Sequence, residues 1–368
     1  MTTTWSISEL PELESTSSPG SWLLHGFVEA TNEVLLDSWG THDYDRDARE
    51  VLGSLHDQKY VRKIRLVAVD DAGDGEEPAR VLAVAALNLS LRDNTHLAVL
   101  EVSVRPSQRT RGIGSSLHDA AIALARDAGR TRVQVSVDQR VEPPEGPDTL
   151  RPTTGEGLVL RTDPSTLFAL KRGYELEQVA RRSVFELPFD PAHVERHLRE
   201  AQAHAGPDYR IVSWADHCPD EWLEAYALLI TRMSTDAPSG GLDYEEDVWD
   251  AERVRVTEKQ LAEREMGLLV LAAEHVPTHT LAAYTEFMTV PNTQEFVHQN
   301  DTLVLKEHRG KRLGMLVKAA NLQRLAAEYP AVRRIGTWNA EENGYMLSIN
   351  VALGFRPAGG AGEWQLKL

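Results

Sequence analysis

The residues best placed to do chemistry fall in two similar sets of seven. They are Gln108-Arg109-Thr110-Arg111-Gly112-Ile113-Gly114 and His308-Arg309-Gly310-Lys311-Arg312-Leu313-Gly314. Each set follows a short apolar run, Leu100 to Val104 and Leu303 to Leu305, and each opens a helix-like pattern. An apolar strand, a basic glycine-containing turn and a helix N-terminus together present unpaired backbone N–H groups to an anion. One such turn is common, but two in matched contexts, about 200 residues apart, indicate an internal architectural repeat.

The chain around them has 368 residues, enough for two or three domains. Its 42% hydrophobic and 26% charged content is that of an ordinary globular protein. No run approaches the roughly 18 apolar residues of a membrane helix. The start, Met-Thr-Thr-Thr-Trp-Ser, lacks a basic and then apolar leader, so a cytoplasmic protein with no membrane partner is expected. The single cysteine, Cys218, excludes an intrachain disulfide and a cysteine-cluster metal site. His275 and His279 are four apart, but Pro277 between them opposes a helix, so no metal site is expected. A net charge of −17, from 56 acidic and 39 basic residues, argues against nucleic acid. It suits a cationic small molecule or peptide, or simply a soluble acidic surface.

Each turn needs strands and helices to hold it. In the first half, Thr4 to Ile7 reads as a strand, and Ser21 to Trp39 and Asp47 to Leu55 read as helices. Strands follow at Lys63 to Val69, Val81 to Leu87 and Leu97 to Val104, with a turn at Asp70 to Gly75 between the first two. After the basic turn, Ile113, Leu117, Ala120, Ala121, Leu124 and Ala128 form one helix face stopped by Gly129. A strand Arg132 to Val137, a Pro- and Gly-rich loop Val141 to Glu156 expected to be poorly ordered, a helix near Thr166 to Leu170 and a strand Ser183 to Leu187 complete this half. The second half repeats the order: strand Tyr209 to Ser213, helix Asp220 to Met233, helix Asp250 to Glu265, and strands Leu268 to Ala273, Thr280 to Val290 and Thr302 to Leu305. Helix Leu313 to Glu328, strand Arg334 to Trp338, helix Tyr345 to Leu353 and strand Glu363 to Leu366 follow. Expected domains are therefore 1–190 and 207–368, with 191–206 a helical connector.

This order, with Arg109, Gly112 and Gly114 in an Arg-x-x-Gly-x-Gly turn, resembles the GNAT superfamily of N-acetyltransferases over nearly the whole chain. The resemblance implies an α/β fold of two tandem GNAT domains, each a mixed, mostly antiparallel sheet flanked by helices. The pairing of two such domains is similar to two-domain actinobacterial acyltransferases of the mycothiol synthase type. The family's turn binds the pyrophosphate of acyl-CoA, which implies Arg109, Thr110, Arg111, Gly112, Ile113, Gly114 and Ser115 in one copy. In the other it implies Arg309, Gly310, Lys311, Arg312, Leu313, Gly314 and Met315. The neighbouring strand residues Val102, Val104, Leu303 and Val304 would line the cofactor, and Asn339 would lie beside it. Family members carry an Asn eleven residues before a Gly-Phe pair, where it bonds the pantetheine arm. Counting from Gly354-Phe355 gives Asn343, whereas Gly173-Tyr174 gives Thr162. Arg312 departs from the pattern by replacing its first glycine, and a helical conformation there needs only an outward Cβ. The second half is therefore expected to be the active one.

Acyl transfer from acetyl-CoA, or another acyl-CoA, to a primary amine needs a base, since a free amine has a pKa near about 10. Glu101 is the candidate in the first half. Glu286, His298 and Asp301 are candidates in the second. The departing thiolate needs a proton. The family's usual tyrosine, four residues before the Gly of the Gly-Phe pair, is replaced by Ala169 and Asn350, which leaves Tyr345 or solvent. The acceptor would be a small-molecule or peptide amine, attracted by the acidic loop Asp236 to Asp243 with Glu245, Glu246 and Asp247, or that loop is merely solvated. A monomer or homodimer is expected. The other reading is a decayed pair of domains acting as a CoA-binding sensor or scaffold.

Overall fold

A computed structural model describes residues 4–73 and 75–368. Met1 to Thr3, and Asp74 in the turn expected at 70–75, lie outside the described residues. The first half contains β1 (Trp5–Glu9), α1 (Trp22–Trp39), α2 (Ala48–His56), β2 (Val61–Asp70), β3 (Val81–Ser90), β4 (Leu97–Val104), α3 (Ile113–Asp127), β5 (Arg132–Gln139), β6 (Thr149–Leu150), β7 (Val159–Leu160), α4 (Pro164–Lys171) and β8 (Glu175–Glu186). Helix α5 (Pro191–Ala205) follows, started by Pro191 and by the Asp190 carboxylate, which accepts from Ala192 N–H. The second half has β9 (Tyr209–Ala215), α6 (Leu223–Asp236), α7 (Ala251–Glu263), β10 (Leu268–His275), β11 (Thr280–Val290), β12 (Thr293–Val304), α8 (Leu313–Glu328), β13 (Arg334–Ala340), α9 (Gly344–Leu353) and β14 (Arg356–Lys367). The loop at 141–156 is organised by the β6–β7 ladder and an internal Arg151–Glu145 pair, and its Glu142 lies 3.9 Å from Arg181 on β8.

Among the described residues, twelve strands form one sheet in the order β1-β2-β3-β4-β5-β14-β8-β13-β12-β11-β10-β9. The order reveals an exchange. The last strand of the chain, β14, pairs with β5 of the first half, and β8, the last strand of the first half, pairs with β13 of the second. Trp364 on β14 is 1% exposed and packs in the first-half core with Leu117, Ala121 and Val133. Phe185 on β8 packs in the second-half core with Leu316 and Phe355. Each half thus completes its hydrophobic core with a strand from the other.

The connectors after α1 and α6 are exchanged too. From the first half, Asp43 makes a two-pronged bond to Arg334 on β13 (2.8 and 2.7 Å), and Tyr44 O–H accepts from Arg182 on β8 (2.7 Å). From the second half, the segment after α6 crosses the first-half sheet. Asp243 pairs with Arg132, the backbone of Glu245 bonds Asn94, and Arg253 bridges Asp93 and Asp247. The acidic loop, expected to draw an acceptor or to be solvated, pairs part of its charge, Asp236 with Lys306 and Arg309 and Glu246 with Arg232, while Glu245 stays exposed.

Both halves share one device that opens the sheet. Strands β4 and β5 run parallel but pair only from Leu97–Arg132 to Val99–Gln134, although they continue to Val104 and Gln139. Likewise β12 and β13 pair only as far as Gln299–Thr337 and continue to Val304 and Ala340. Beyond those points the strands diverge and leave backbone edges without a strand partner.

Candidate active site

Each basic turn stands at the mouth of one divergence. The two share their fixing bond: Arg109 Nε donates to Val104 O and Arg309 Nε to Val304 O, both at 3.3 Å. Each of these arginines also pairs with an aspartate from the preceding helical segment, Asp37 at 2.7 Å and Asp236 at 2.9 Å. Two backbone positions per turn are left-handed: Thr110 (φ 62°) and Gly112 (φ 87°) in the first, Gly310 (φ 79°) and Arg312 (φ 56°) in the second. Each turn therefore has glycine at one such position and a side chain at the other. Arg312 corrects the expectation of a helical residue. It is the left-handed N-cap of α8, a conformation that costs a non-glycine residue about 1 kcal/mol or more.

Neither α3 nor α8 has a side-chain cap, so the N–H groups of their first turns face outward unmatched. Gly114 and Gly314 serve close packing instead. A Cβ on Gly114 would meet Val104 at 3.0 Å, and one on Gly314 would meet Ile349 at 3.1 Å. Arg111 and Lys311 are exposed, whereas Ile113, Leu313, Leu303 and Met315 point into the core, leaving only their backbone for a ligand. Uncapped helix N-termini, left-handed turns and free cations fit the pyrophosphate of an acyl-CoA in both halves.

The halves differ beyond the turn. In the second, β12 carries a bulge: between the Phe287–Gln299 and Thr285–Thr302 pairs, Glu286 stands opposite both Asn300 and Asp301. The first-half ladder from Ala83–Val104 to Leu89–Ala98 is unbroken. Polar side chains hold the bulge. Thr285 and Thr302 hydroxyls bond at 2.7 Å, Gln299 Nε2 donates to Glu286 O at 2.8 Å, and Thr337 donates to Gln299 O at 3.1 Å. Beside the bulge lies a cavity of about 410 Å³ lined by Glu286, His298, Asp301, Thr302, Lys318, Asn339, Asn343 and Met346, among others.

The cavity carries the shifted titrations. Burial, reinforced by the Asp301 charge, pushes Glu286 up to about 8, against hydrogen bonds from Tyr226 (2.7 Å) and Asn300. Burial raises Asp301 also, although Tyr284 O–H donates to it at 3.3 Å. One carboxyl of this pair is thus held protonated near neutral pH. His298 is pushed down to about 4 by burial and is neutral there; its ring packs edge-on against Phe296. The first half helps enclose the site, with Trp39 against Trp338 at 5.2 Å and Tyr44 5.8 Å from His298.

Three of the expected catalytic residues, Glu286, His298 and Asp301, therefore converge on one cavity, together with Asn339 and Asn343. Asn343 caps α9, its side chain accepting from Met346 N–H. Glu101 is exposed on β4 in the other half, outside this cavity. Tyr345, the candidate acid, is 60% exposed at the start of α9 and does not line the cavity. Asn350, at the position of the family's tyrosine, turns its amide to Asn339 Oδ1 at 2.7 Å. Sequence reasoning missed Tyr226, Tyr284, Tyr44 and Lys318. Cys218 is buried with its thiol pushed up to about 12, and His279 pairs with Glu274 at the β10–β11 turn.

Among the described residues, no group of three or more His, Cys, Asp or Glu side chains gathers as a metal-ligand set, and no helix is long and apolar enough to cross a membrane.

Residues 24–143 match the Acetyltransferase (GNAT) family, and the whole chain has the fold of two GNAT domains in tandem. It is similar to a tandem GNAT protein from the clavulanic acid biosynthesis pathway, with 22% identity, 99% of this chain and 98% of that one covered, and a TM-score of 0.74. It is also similar in fold to a GCN5-related N-acetyltransferase from Sphaerobacter thermophilus (13% identity, 99% and 95% covered, TM-score 0.58). No curated protein matches the sequence.

Proposed function

We propose that the protein is an acyl-CoA-dependent N-acyltransferase whose second half transfers an acetyl group from acetyl-CoA to a primary amine of a small molecule or peptide. The observation that carries this reading is the convergence, at the β12–β13 divergence, of an anion-binding turn, a bulged strand edge and a cavity holding a buried carboxyl pair. Gly310, Arg312, Gly314 and the α8 N-terminus would hold the pyrophosphate, and Asn343 the pantetheine arm. Acetyl-CoA supplies an activated acyl carbon. The unpaired N–H groups of β12 near Thr302 to Val304 would polarise its carbonyl.

Glu286 is the base in this scheme. Its carboxylate takes a proton from the amine as the amine attacks, with Tyr226 holding the carboxylate in place. Burial, reinforced by the Asp301 charge, keeps Glu286 basic enough for that task, and the pair would favour an acceptor that enters as a cation. The first half serves as scaffold: its sheet face is crossed by the 237–250 segment, and it lends Trp39 and Tyr44 to the second site.

Thiol release from acetyl-CoA measured across a broad panel of primary amines tests the reading. Amine-dependent release with an acetylated product is expected. Tight CoA binding with no turnover on any amine would make the protein a CoA-binding scaffold instead.

A further inference from the structure

Helix α8 buries a lysine. Lys318 lies one turn beyond Gly314 and is 1% exposed. It lines the cavity described above, and no carboxylate or hydrogen-bond acceptor pairs with it among the described residues. Among the described residues the face of Phe355, 5.4 Å away, is the one partner its ammonium has. A buried, unpaired ammonium is costly, and such a cost persists where the group acts on something entering the site.

The corresponding position of the first half makes the contrast. His118 lies the same four residues beyond Gly114, and its Nε2 bonds the Tyr174 hydroxyl at 3.1 Å. In the second half the lysine faces a phenyl ring where the first half has a phenol. The His118–Tyr174 bond has no counterpart in the second half, where Lys318 lines the cavity.

Resting on the acyl-transfer reading above, we propose that Lys318 Nζ delivers a proton to the CoA sulfur as the bond between acyl carbon and sulfur breaks. The electron pair of that bond goes to sulfur, which takes a proton from Nζ and leaves as the neutral thiol. The amide bond forms at the amine nitrogen, which gives its proton to Glu286. Water then returns a proton to Lys318 and removes one from Glu286, so the cycle closes with no redox change. Asn350 has no acidic proton to offer, and His298 is neutral.

Burial pushes Lys318 down to about 7. An alkyl thiol ionises near about 8.5 in water, and an ammonium beside the departing sulfur stabilises the thiolate as the thiolate stabilises the ammonium, so the two groups are matched for sharing a proton. The titratable groups sharing the cavity are Glu286, Asp301 and His298 on β11 and β12. Those of β13 and α9 that line it are uncharged. Helix α5, packed along α8, places His197 and Glu200 toward Arg312.

The test titrates the thiol of bound CoA by its thiolate ultraviolet absorbance, with the desulfo-CoA complex as baseline, in wild type and in Lys318→Met. In wild type the bound thiol should ionise about one unit or more below free CoA. In Lys318→Met it should ionise at or above the free value, with the CoA Kd within about twofold and no loss of thermal stability. Lys318→Gln gives the same comparison if the methionine variant folds poorly. Equal ionisation in both proteins overturns the inference, as does a folded variant that no longer binds CoA, since the lysine would then be a binding residue. If Gly314→Glu leaves CoA binding as in wild type, the placement of the cofactor in the second half fails, and the role of Lys318 falls with it.

Discussion

Replacing Tyr226 with phenylalanine should move the pH dependence of the enzyme without removing its base. The Tyr226 hydroxyl donates to Glu286 Oε2 at 2.7 Å inside the protein, a bond that favours the ionised carboxylate. A hydrogen bond to a charged group contributes about 1.5–3 kcal/mol, or about 1–2 pK units. Glu286 already sits near 8 because burial and Asp301 oppose its ionisation. Losing the tyrosine bond therefore raises it further, and the ascending limb of kcat/KM should shift up by about 1–2 units. At pH 7 this lowers kcat/KM about 10- to 100-fold. The assay is thiol release from acetyl-CoA with an accepted amine, from pH 6 to about 10, with Glu286→Gln as the control that removes the limb. A limb that stays in place in Tyr226→Phe, or one that persists in Glu286→Gln, would refute the assignment of Glu286 as base.

Glu286→Gln also has a stability consequence with a definite sign. The folded carboxyl is raised from 4.5 to about 8, so its favourable protonated state is fully present below about 4.5 and is lost as pH rises through 8. The variant should gain melting temperature over wild type at pH 9 and gain little at pH 5, by calorimetry across that range. Arg312→Gly should relieve about 1 kcal/mol of left-handed strain, partly offset by the freer unfolded chain, and leave Tm nearly unchanged. It should nevertheless weaken CoA about tenfold by removing a cation from the turn, measured by calorimetric titration. Trp364→Ala should cost about 3–5 kcal/mol and loosen the first half, although it lies in the last strand. Loss of hydrogen-exchange protection in α3 and β5 would report it.

The turns were legible because glycines and cations at fixed spacing have a local physical meaning, and the helices after them because an apolar face repeats at helical period. The strand exchange was not. Whether β14 pairs with β5 or with another strand depends on which backbone edge is free, and neither alternation nor turn residues record that. Strand β12 begins at Thr293 where the residue pattern marks only 302–305, since the bulge at Asn300-Asp301 breaks the alternation and polar residues precede it. The same holds for β8 and β14, strands at the seam between halves whose faces are both covered. Arg312 looked helical because its left-handed angle is set by the turn and not by its own preference. Lys318 did carry a signal: it interrupts the run from Leu313 to Leu322, all of which is buried. A charged residue inside an apolar helix run points to the cavity more directly than the exposed Tyr345 does.

Catalysis beside the second turn is tested most directly by charge reversal at the two turns. A Cβ added at Gly310 would meet nothing within 4 Å, so Gly310→Glu adds a negative charge without the contact with Ile349 that Gly314→Glu would make. Gly112 is equally open in the first turn. A like charge about 5 Å from a phosphate opposes binding by roughly 3 kcal/mol at an effective dielectric near 20, about a hundredfold. Initial rates at limiting acetyl-CoA should fall by that order in Gly310→Glu and in Gly314→Glu, and stay within a few-fold of wild type in Gly112→Glu, with all three folded by calorimetry. Activity lost in Gly112→Glu and kept in the other two would place the reaction in the first half and contradict the assignment of the second as the catalytic one.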